Sequence, residues 1–246
     1  MSGEQLRVVV FGAHPDDPEY YAGGVTALYT ALGHEVTLVS LTNGDAGHHE
    51  MRGPALAARR LAEAKAAGAC LGAEYLVLDN HDGLLEPSLE VRLQVVRVMR
   101  ELRPHLVMCH RPYDYHPDHR YTGQVVQDAA LLTFVGAVLP EVPPLAQMPV
   151  VVYTYDEFQK PYPFQPDILV DVDAVSEKKL GAACCHVSQF FEAGAQHHGQ
   201  RVPNEPALRC AWLREQLEPV FTEPARKYRE KLVEVYGKER GSRIHY

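Results

Sequence analysis

The sequence contains few cysteines, no long apolar run and no excess of positive charge. Five cysteines stand among 246 residues, and no two of them form a Cys-x-x-Cys pair. This odd, scattered set argues against a disulfide scaffold and against a thiolate zinc knuckle. No apolar stretch approaches the ~20 residues that cross a membrane. Because the first residues also lack the basic and apolar segments of an export signal, we expect a cytoplasmic protein.

The charge balance is acidic, with 24 Lys and Arg residues against 32 Asp and Glu residues and a formal net charge of -8. A surface of this sign argues against nucleic acid as a partner, although a local basic patch could still hold a phosphate. The hydrophobic content of 46% and charged content of 23% are ordinary for a globular protein. We therefore expect a small-molecule substrate and a chain long enough to bury a sizeable core.

Strand-like and helix-like patterns alternate along most of the chain. The predicted strands are 6–12, 35–42, 75–78, 105–110, 149–155 and 167–171. The predicted helices are 23–32, 55–71, 90–102, 122–135 and 175–191. This order favours an α/β fold of the Rossmann-like, doubly wound class, with a mostly parallel sheet and helices on both faces.

The character of the sequence changes towards the C-terminus. Pro203, Pro206, Pro219 and Pro224 punctuate two charged helical stretches, 207–217 and 225–237. We predict an α/β domain over residues 1–200 and a C-terminal helical tail over residues 201–246. The tail is expected to pack on the domain or on a neighbouring subunit of a homo-oligomer.

Two four-residue motifs of nearly the same sequence, here called tetrads, each follow an apolar, strand-like run. They are His14-Pro15-Asp16-Asp17 and His116-Pro117-Asp118-His119. A residue before proline is pushed towards extended backbone, whereas proline and aspartate suit the first turn of a helix. Each tetrad is thus expected at a strand-to-helix turn, with its first and fourth side chains adjacent. If both strands lie in one parallel sheet, the two turns meet at the edge where open α/β sheets bind ligands.

The side chains of the tetrads supply the ligands of a catalytic zinc site. His14, Asp17 and His119 form a set of three His and carboxylate ligands, which leaves a position for a water of lowered pKa. Asp16 is then a candidate general base. His116 is a candidate acid that also stabilises the carbonyl oxygen, with Asp118 holding its imidazole and raising its pKa.

An alternative interpretation is that His-Pro-Asp only marks the start of a helix and binds no metal. That interpretation suits a single tetrad. Two tetrads at one sheet edge would bring imidazoles and carboxylates together at a high electrostatic cost unless a cation offsets it. The paired tetrads therefore favour a metal site.

Three further features leave alternatives open. His48 and His49 either line the pocket, bind a second metal or face solvent. Cys184 and Cys185 precede His186 on a predicted helix, where adjacent residues point to different faces, so the cysteines are expected in the core. The loop 160–165 is expected either to wall a sugar site or to contact another subunit.

These motifs resemble those of the LmbE-like or PIG-L de-N-acetylases. The shared features are Ala13 to Asp17, His116 to His119, and weaker pieces that together cover about residues 6–190. The weaker pieces are Leu41-Thr42-Asn43-Gly44-Asp45, Arg60-x-x-Glu63-Ala64, Asp114 and His186-x-Ser188-Gln189. Asp114 stands where some relatives have tyrosine.

The resemblance implies a zinc-dependent hydrolase that removes the acetyl group from an N-acetylglucosamine-type compound. It assigns the same roles to the tetrads as the residues themselves suggest. It also implies substrate contacts by Arg60, Asp114 and His186, although Arg60 could instead be a solvated helix arginine. Iron or another divalent ion would suit the same ligands.

Two other functions compete with this one. The first is amide cleavage of a larger thiol conjugate or another acylated amine. The second is a nucleotide-binding module without catalysis, which the sequence disfavours because Gly12 to Asp17 lacks a Gly-x-Gly-x-x-Gly loop and carries two carboxylates.

Overall fold

A computed structural model describes residues 5–246 and contains a five-stranded parallel sheet. The strands are β1 (Arg7–Gly12), β2 (Glu35–Thr42), β3 (Glu74–Asn80), β4 (Leu106–Cys109) and β5 (Val150–Tyr153). Their order is β3-β2-β1-β4-β5, and every neighbouring pair is parallel. The direction of winding thus reverses between β1 and β4, and a crevice forms there at the carboxyl ends of the strands.

Helices cover both faces of the sheet. Those packed on it are α1 (Asp17–Ala31), α2 (Gly53–Leu71), α3 (Leu89–Leu102), α4 (Pro117–Leu132) and α5 (Ser176–Cys185). A π-helical segment (Val187–Ala193) and a short α6 (Gly194–His197) follow. The C-terminal part contains α7 (Pro206–Lys227), α8 (Arg229–Tyr236) and α9 (Lys238–Gly241).

Strand β1 is buried on both sides, and its alternating side chains belong to two different cores. Val9 and Phe11 pack with α3 and α4, while Val8 and Val10 pack with α1, α2 and α5. Successive side chains of a strand point to opposite faces, so a run of valines suits a strand with helices on both sides. The predicted Rossmann-like class, doubly wound with helices on both faces and a helical tail, is confirmed.

The predicted sixth strand is wrong. Residues 167–171 have no regular structure, and their backbone bonds to the C-terminal part of the chain. The Tyr236 hydroxyl donates to the Leu169 carbonyl oxygen at 3.0 Å and accepts from the Asp171 amide at 3.1 Å. Because side chains of the C-terminal part satisfy these groups, the segment does not extend the sheet.

Two helix predictions also need correction. The predicted helix 175–191 is interrupted at His186, where the backbone leaves the helical region and a π-helical segment begins. In the C-terminal part, α7 continues through Pro219 and Pro224 and ends only at Lys227. Leu213 and Leu217 of this helix pack in one buried cluster with residues of α5 and the π-helical segment, and this packing offsets the two missing amide donors.

The prediction that the cysteines of α5 lie in the core is wrong. Cys184 and Cys185 are half-buried, and the Cys184 sulfur is paired with that of Cys210 on α7. Among the cysteines of residues 5–246 that form no disulfide, Cys109 is the one that is buried. Within residues 5–246, no helix is both long and apolar enough to cross a membrane.

Helix α4 approaches the end of β4 through a glycine. An ideal Cβ atom at Gly123 would lie 2.4 Å from the His110 carbonyl oxygen, which is backbone and has little freedom to move. The absence of a side chain at this position therefore allows the turn with the second tetrad to sit close to the sheet.

We predict that Gly123→Ala destabilises the protein by about 1–3 kcal/mol, because the added methyl group overpacks the contact between α4 and β4. The measurement is the free energy of unfolding in denaturant. Gly136→Ala is the matched control, since the nearest atom to its new Cβ would be 3.8 Å away, and its effect should stay within about 0.5 kcal/mol. Equal losses in the two variants would contradict this account of the packing.

Candidate metal centre and active site

The first tetrad forms a turn between β1 and α1 that is closed by Asp17. The Asp17 Oδ2 atom accepts from the backbone amides of Ala13 at 3.0 Å and His14 at 2.8 Å. Helix α1 begins at Asp17, with Pro18 in its first turn, so the expectation that Pro15 begins the helix is wrong. The Asp17 carboxylate, at the first residue of α1, therefore holds the turn by accepting from two amides that precede the helix.

The second tetrad follows the predicted pattern. His116 is extended, with φ −73° and ψ 126°, and Pro117 is the first residue of α4. The His116 Nδ1 atom accepts from the Asp118 amide at 3.2 Å. This bond fixes the His116 ring at the start of the helix while the residue itself remains exposed.

The two turns bring the predicted metal ligands together across about a hundred residues of sequence. Potential ligand atoms of His14, Asp17 and His119 lie within 4.8 Å of one another. Asp17 Oδ2 is 3.2 Å from His14 Nδ1 and 3.3 Å from His119 Nε2. A set of two imidazoles and one carboxylate is a common ligand set for a catalytic divalent metal.

The Asp118 side chain lies elsewhere than predicted. Its Oδ2 atom is 3.2 Å from His14 Nε2 and accepts from the Gly83 amide at 2.7 Å, so the carboxylate contacts His14 and not the His116 ring. Burial, helped by the charges of His119 and His14, lowers the pKa of His116. The charge of Asp118 does act to raise this pKa, as predicted, but burial and the two histidine charges outweigh it.

Asp114 lies behind His119 and orients it. Its Oδ2 atom is 3.0 Å from His119 Nδ1, and its Oδ1 atom accepts from the His116 amide at 2.7 Å. The carboxylate is buried, so it faces the two histidines instead of the open side of the site. A carboxylate on the far nitrogen of a metal-binding histidine fixes the ring and increases its basicity.

Two residues belong to the site that were not predicted from the sequence. His110, at the end of β4, lies 3.3 Å from Asp17 Oδ2 and stacks on the His119 ring with centroids 4.2 Å apart. Asp82, just after β3, places Oδ1 3.2 Å from His14 Nε2. Both are polar residues that follow a strand at the same sheet edge, which is the signal that identified the tetrads.

Arg60 is buried and is not the solvated arginine of the alternative interpretation. Its guanidinium donates to the Gly47 carbonyl oxygen at 2.7 Å and to the Gln189 side chain, and it lies 3.5 Å from Asp82. The Arg60 Nε atom has no hydrogen-bond partner in the described part of the chain. Arg60 is thus linked to His14 through the Asp82 carboxylate.

His186 is completely buried, and the structure places it against Glu19 instead of at the open side of the site. Its Nε2 atom contacts one Glu19 oxygen, and the Tyr75 hydroxyl donates to the other at 3.0 Å. The neighbouring Ser188 donates to Glu63 from its amide at 3.0 Å and from its hydroxyl at 2.6 Å. These contacts explain why the backbone departs from a regular helix here.

The charges at the site shift the pKa values of its carboxyl groups in opposite directions. Burial by itself raises the pKa of Asp17, but His119, His110 and His14 outweigh it and hold the value well below its usual range. Burial, reinforced by the charge of Asp17, raises the pKa of Asp16 to about 7. The two adjacent carboxyl groups therefore differ in ionisation: Asp17 is ionised near neutral pH, whereas Asp16 exchanges a proton there.

The donor groups fit a divalent cation. The carboxylates of Asp17, Asp82 and Asp118 each have an oxygen 3.2 Å from a His14 nitrogen. Asp118 Oδ1 is buried and has no hydrogen-bond partner among the described residues. Three clustered carboxylates carry a repulsion that a bound cation would relieve.

His48 and His49 border a cleft beside this centre. The cleft has a volume of about 410 Å³ and is also lined by Asp82 and Asp45. His48 Nε2 lies 3.0 Å from Glu192, and the two histidine rings stack on each other. Neither residue belongs to a group of potential metal ligands in the described part of the chain.

Comparisons with known proteins identify related sequences and structures. The family described as GlcNAc-PI de-N-acetylase, PIG-L, matches residues 9–130. A diacetylchitobiose deacetylase of Thermococcus kodakarensis is 34% identical over 76% of this chain and 71% of its own length. A probable N-acetyl-alpha-D-glucosaminyl L-malate deacetylase 2 of Bacillus anthracis is 31% identical over 77% and 84%.

The relatives also include an enzyme of a different reaction. A 4-oxalmesaconate hydratase of Pseudomonas putida is 27% identical over 86% of both chains. Among solved structures, an inhibitor complex of the N,N'-diacetylchitobiose deacetylase of Pyrococcus horikoshii has a TM-score of 0.75 and 26% identity. The alignment covers 93% of this chain and 80% of that chain.

We predict that Asp114→Asn lowers metal affinity by about 10–100-fold, because the amide no longer supplies the negative charge that orients His119. The measurement is a competition titration of zinc against a chromophoric chelator. Asp128→Asn is the control, since Asp128 pairs with Arg92 at 3.0 Å on the protein surface. Unchanged affinity in the Asp114 variant would show that His119 does not need this partner.

The ion pair between Arg59 and Glu192 gives a prediction for pH. The hydrogen bond from Arg59 lowers the pKa of Glu192 in the folded protein, so the pair stabilises the fold above the ordinary glutamate pKa. This stabilisation is lost as the pH falls through the lowered folded value. Because the Glu192 side chain is 34% exposed, solvent screening limits its contribution to about 0.5–1 kcal/mol.

We accordingly expect Glu192→Gln to unfold more easily than the parent protein at neutral pH, and the difference to shrink as the solution is acidified to about pH 3.5. Unfolding in urea at a series of pH values measures this. Glu50→Gln, at a side chain that is 80% exposed, serves as the control. A difference that grows on acidification would contradict the assigned direction of the pKa shift.

Proposed function

We propose a function for this chain on the basis that it belongs to the PIG-L, or LmbE-like, family of deacetylases. It is a metal-dependent hydrolase that removes the acetyl group from an N-acetylglucosamine-type substrate and releases acetate and a free amine. The observation that carries this proposal is the convergence of His14, Asp17 and His119, with Asp16 and His116 beside them. Two histidines and a carboxylate bind a metal and leave the neighbouring groups free to move protons.

Zinc is the proposed metal, held by His14, Asp17 and His119. The ligand types support it, and iron or another divalent ion would suit the same nitrogen and oxygen donors. A bound metal of this kind polarises a carbonyl oxygen and makes water more acidic. Asp114 and Asp118 orient the two histidine ligands through the contacts described above.

Asp16 and His116 move the protons in this proposal. Asp16 takes a proton from the attacking water as the new C–O bond forms at the acetyl carbon. His116 stabilises the carbonyl oxygen and, in its protonated form, delivers a proton to the amide nitrogen as the C–N bond breaks; the lowered pKa makes that form the stronger acid. The exposure of His116 at the start of α4 supports this role, because the substrate can reach its ring.

Arg60 acts on the substrate side of the site through Asp82 in this proposal. Its side chain is buried, and its position 3.5 Å from Asp82 supports a role in holding that carboxylate at the edge of the cleft. For Asp114 and His186, burial against His119 and Glu19 supports a role in positioning instead of the direct contact first expected. His186 also lies near Asp16, whose pKa its charge lowers.

We further propose that residues 1–200 form the metal-hydrolase domain and residues 201–246 a helical tail. The packing of Leu213 and Leu217 of α7 in one buried cluster with residues of α5 and the π-helical segment supports a tail that folds on the same chain. A homo-oligomer and a cytoplasmic location remain predictions from the sequence.

A hydratase is the second candidate function. The relative from Pseudomonas putida supports it, since its alignment covers 86% of both chains. Water addition and amide hydrolysis both need an activated water molecule, so the same scaffold serves either reaction. We favour the deacetylase because the relatives above 30% identity carry that activity in their names.

The experiment is to load the purified protein with zinc and to measure acetate release from N-acetylglucosamine and N,N'-diacetylchitobiose. Hydration of 4-oxalmesaconate is measured in parallel. Acetate release that requires metal supports the proposal. Hydration without any acetate release would overturn it in favour of the hydratase.

We predict that Asp16→Asn keeps its metal and loses about 10²–10⁴-fold in turnover, because only the proton transfer is removed. His119→Ala is expected to lose both metal and activity, since it lacks a ligand. His197→Ala, at an exposed histidine on α6, is the control for both measurements. Equal metal loss in the Asp16 and His119 variants, measured by elemental analysis, would contradict the division of roles.

A further inference from the structure

We propose that four aromatic side chains beside the candidate active site bind a second pyranose ring, a neutral sugar joined to the acetylated one. This aromatic platform consists of Tyr113, Tyr115, Phe158 and Tyr162. The inference rests on the proposed function, because it names the substrate class for the same site.

The first side of the platform is fixed next to the catalytic groups. Tyr115 directly precedes His116 and lies 58% exposed. On one side of it, Asp114 bonds to the His116 amide and to the His119 ring. Arg120 Nη1 donates to the Asp114 carbonyl oxygen at 2.9 Å. The position of Tyr115 is therefore set by the residues that build the metal centre.

The second side of the platform is held by a buried ion pair. Arg111 contacts Asp156 through two hydrogen bonds of 2.6 and 2.8 Å, and both residues are buried. The same guanidinium donates to the carbonyl oxygens of Tyr162 at 2.9 Å and Phe158 at 3.2 Å. Bidentate pairs of this kind have a defined geometry, so the loop 156–162 has a fixed place beside β4.

The loop 156–162 also lies beside the candidate active site. The Phe158 ring of this loop has its centroid 4.3 Å from that of Tyr115, the residue that precedes His116. Arg111 follows His110, whose ring lies 3.3 Å from Asp17. The loop is thus next to the second tetrad, on the side of the metal centre that the exposed His116 ring occupies.

The aromatic rings form two pairs across the two segments. Tyr115 and Phe158 have centroids 4.3 Å apart, and Tyr113 and Tyr162 have centroids 5.4 Å apart. Tyr162 is 53% exposed, like Tyr115. Phe158 is half-buried and Arg111 lies over the Tyr113 and Tyr162 rings at 5.9 and 5.6 Å, so these contacts hold the platform while Tyr115 and Tyr162 supply most of its accessible face. Exposed aromatic faces that are held in this way indicate a binding surface. The C–H face of a pyranose ring packs on such a surface, while its hydroxyl groups stay in water.

The charges around the platform favour a neutral ligand. The charge of Arg111 is offset by Asp156, and the two exposed residues Glu157 and Lys160 have opposite signs. The loop brings no excess of positive charge to an anionic group, and the Arg120 guanidinium beside Tyr115 is directed at the backbone carbonyl oxygens of Asp114 and Tyr115. The structural relative from Pyrococcus horikoshii is a deacetylase of a disaccharide, which has a second pyranose ring of this kind.

The test compares deacetylation of N-acetylglucosamine with that of N,N'-diacetylchitobiose by the zinc-loaded enzyme. We expect Tyr115→Ala and Phe158→Ala to lower kcat/KM for the disaccharide about tenfold, which corresponds to about 1.4 kcal/mol. The value for the monosaccharide should change by less than about twofold, because that substrate does not reach the platform.

Conservative variants separate ring stacking from structural damage. Tyr115→Phe and Phe158→Tyr keep the rings and should retain the preference for the disaccharide. Tyr153→Ala removes an exposed aromatic ring from β5 and should leave both substrates unchanged. Equal losses for both substrates, or no loss for the disaccharide, would overturn the platform.

Failure of the proposed function gives a different result from failure of the platform. If the zinc-loaded parent protein releases acetate from neither sugar, the deacetylase proposal fails on that finding alone. Calorimetric binding of the two sugars then decides the platform. Tighter binding of the disaccharide that is lost in Tyr115→Ala supports it, and equal affinities in the parent protein overturn it.

Discussion

The Asp17 carboxylate is the group on which the rest of the site depends. It closes the turn after β1 through two backbone amides, and it begins α1. The same carboxylate lies within 3.3 Å of nitrogen atoms of His14, His110 and His119, so it joins the ends of two neighbouring strands. Its pKa is held low by these imidazoles, and its charge adds to the effect of burial in keeping the pKa of Asp16 high. One side chain thus sets the backbone geometry, the ligand positions and the contrast between adjacent carboxyl groups.

A second layer of buried polar contacts supports this centre from the opposite side. Helix α2 contributes Arg60 and Glu63, and the irregular segment after α5 contributes Ser188 and Gln189. Motifs that are more than a hundred residues apart therefore act as one unit. Hydrogen bonds in such a network reinforce one another, and each unpaired member would be costly. This explains why a helix is interrupted at His186 beside the site, where the backbone must deliver three polar residues to different partners.

Proteins that share this scaffold catalyse more than one reaction, so the fold alone does not determine the chemistry. The metal centre and the neighbouring proton-transfer groups are suited to activating water. What the water attacks depends on the groups that hold the substrate, and the residues proposed for that role lie on α2 and on the loops after β4 and β5. Loops vary more freely than the strands that position them, which is why relatives with one sheet differ in substrate.

The sequence by itself determined the alternation of strands and helices, the two tetrads at one sheet edge and the set of His14, Asp17 and His119 as neighbours. These follow from local patterns, because buried β-branched runs, proline and aspartate act over a few residues. Only the tertiary structure decided that Asp118 contacts His14, that Asp114 and His186 are buried, and that Asp82 and His110 join the site. It also decided that residues 167–171 bond to the C-terminal part of the chain instead of forming a strand. Such contacts join residues that are distant along the chain, and their partners are set by packing between elements, for which a single sequence has no local signal.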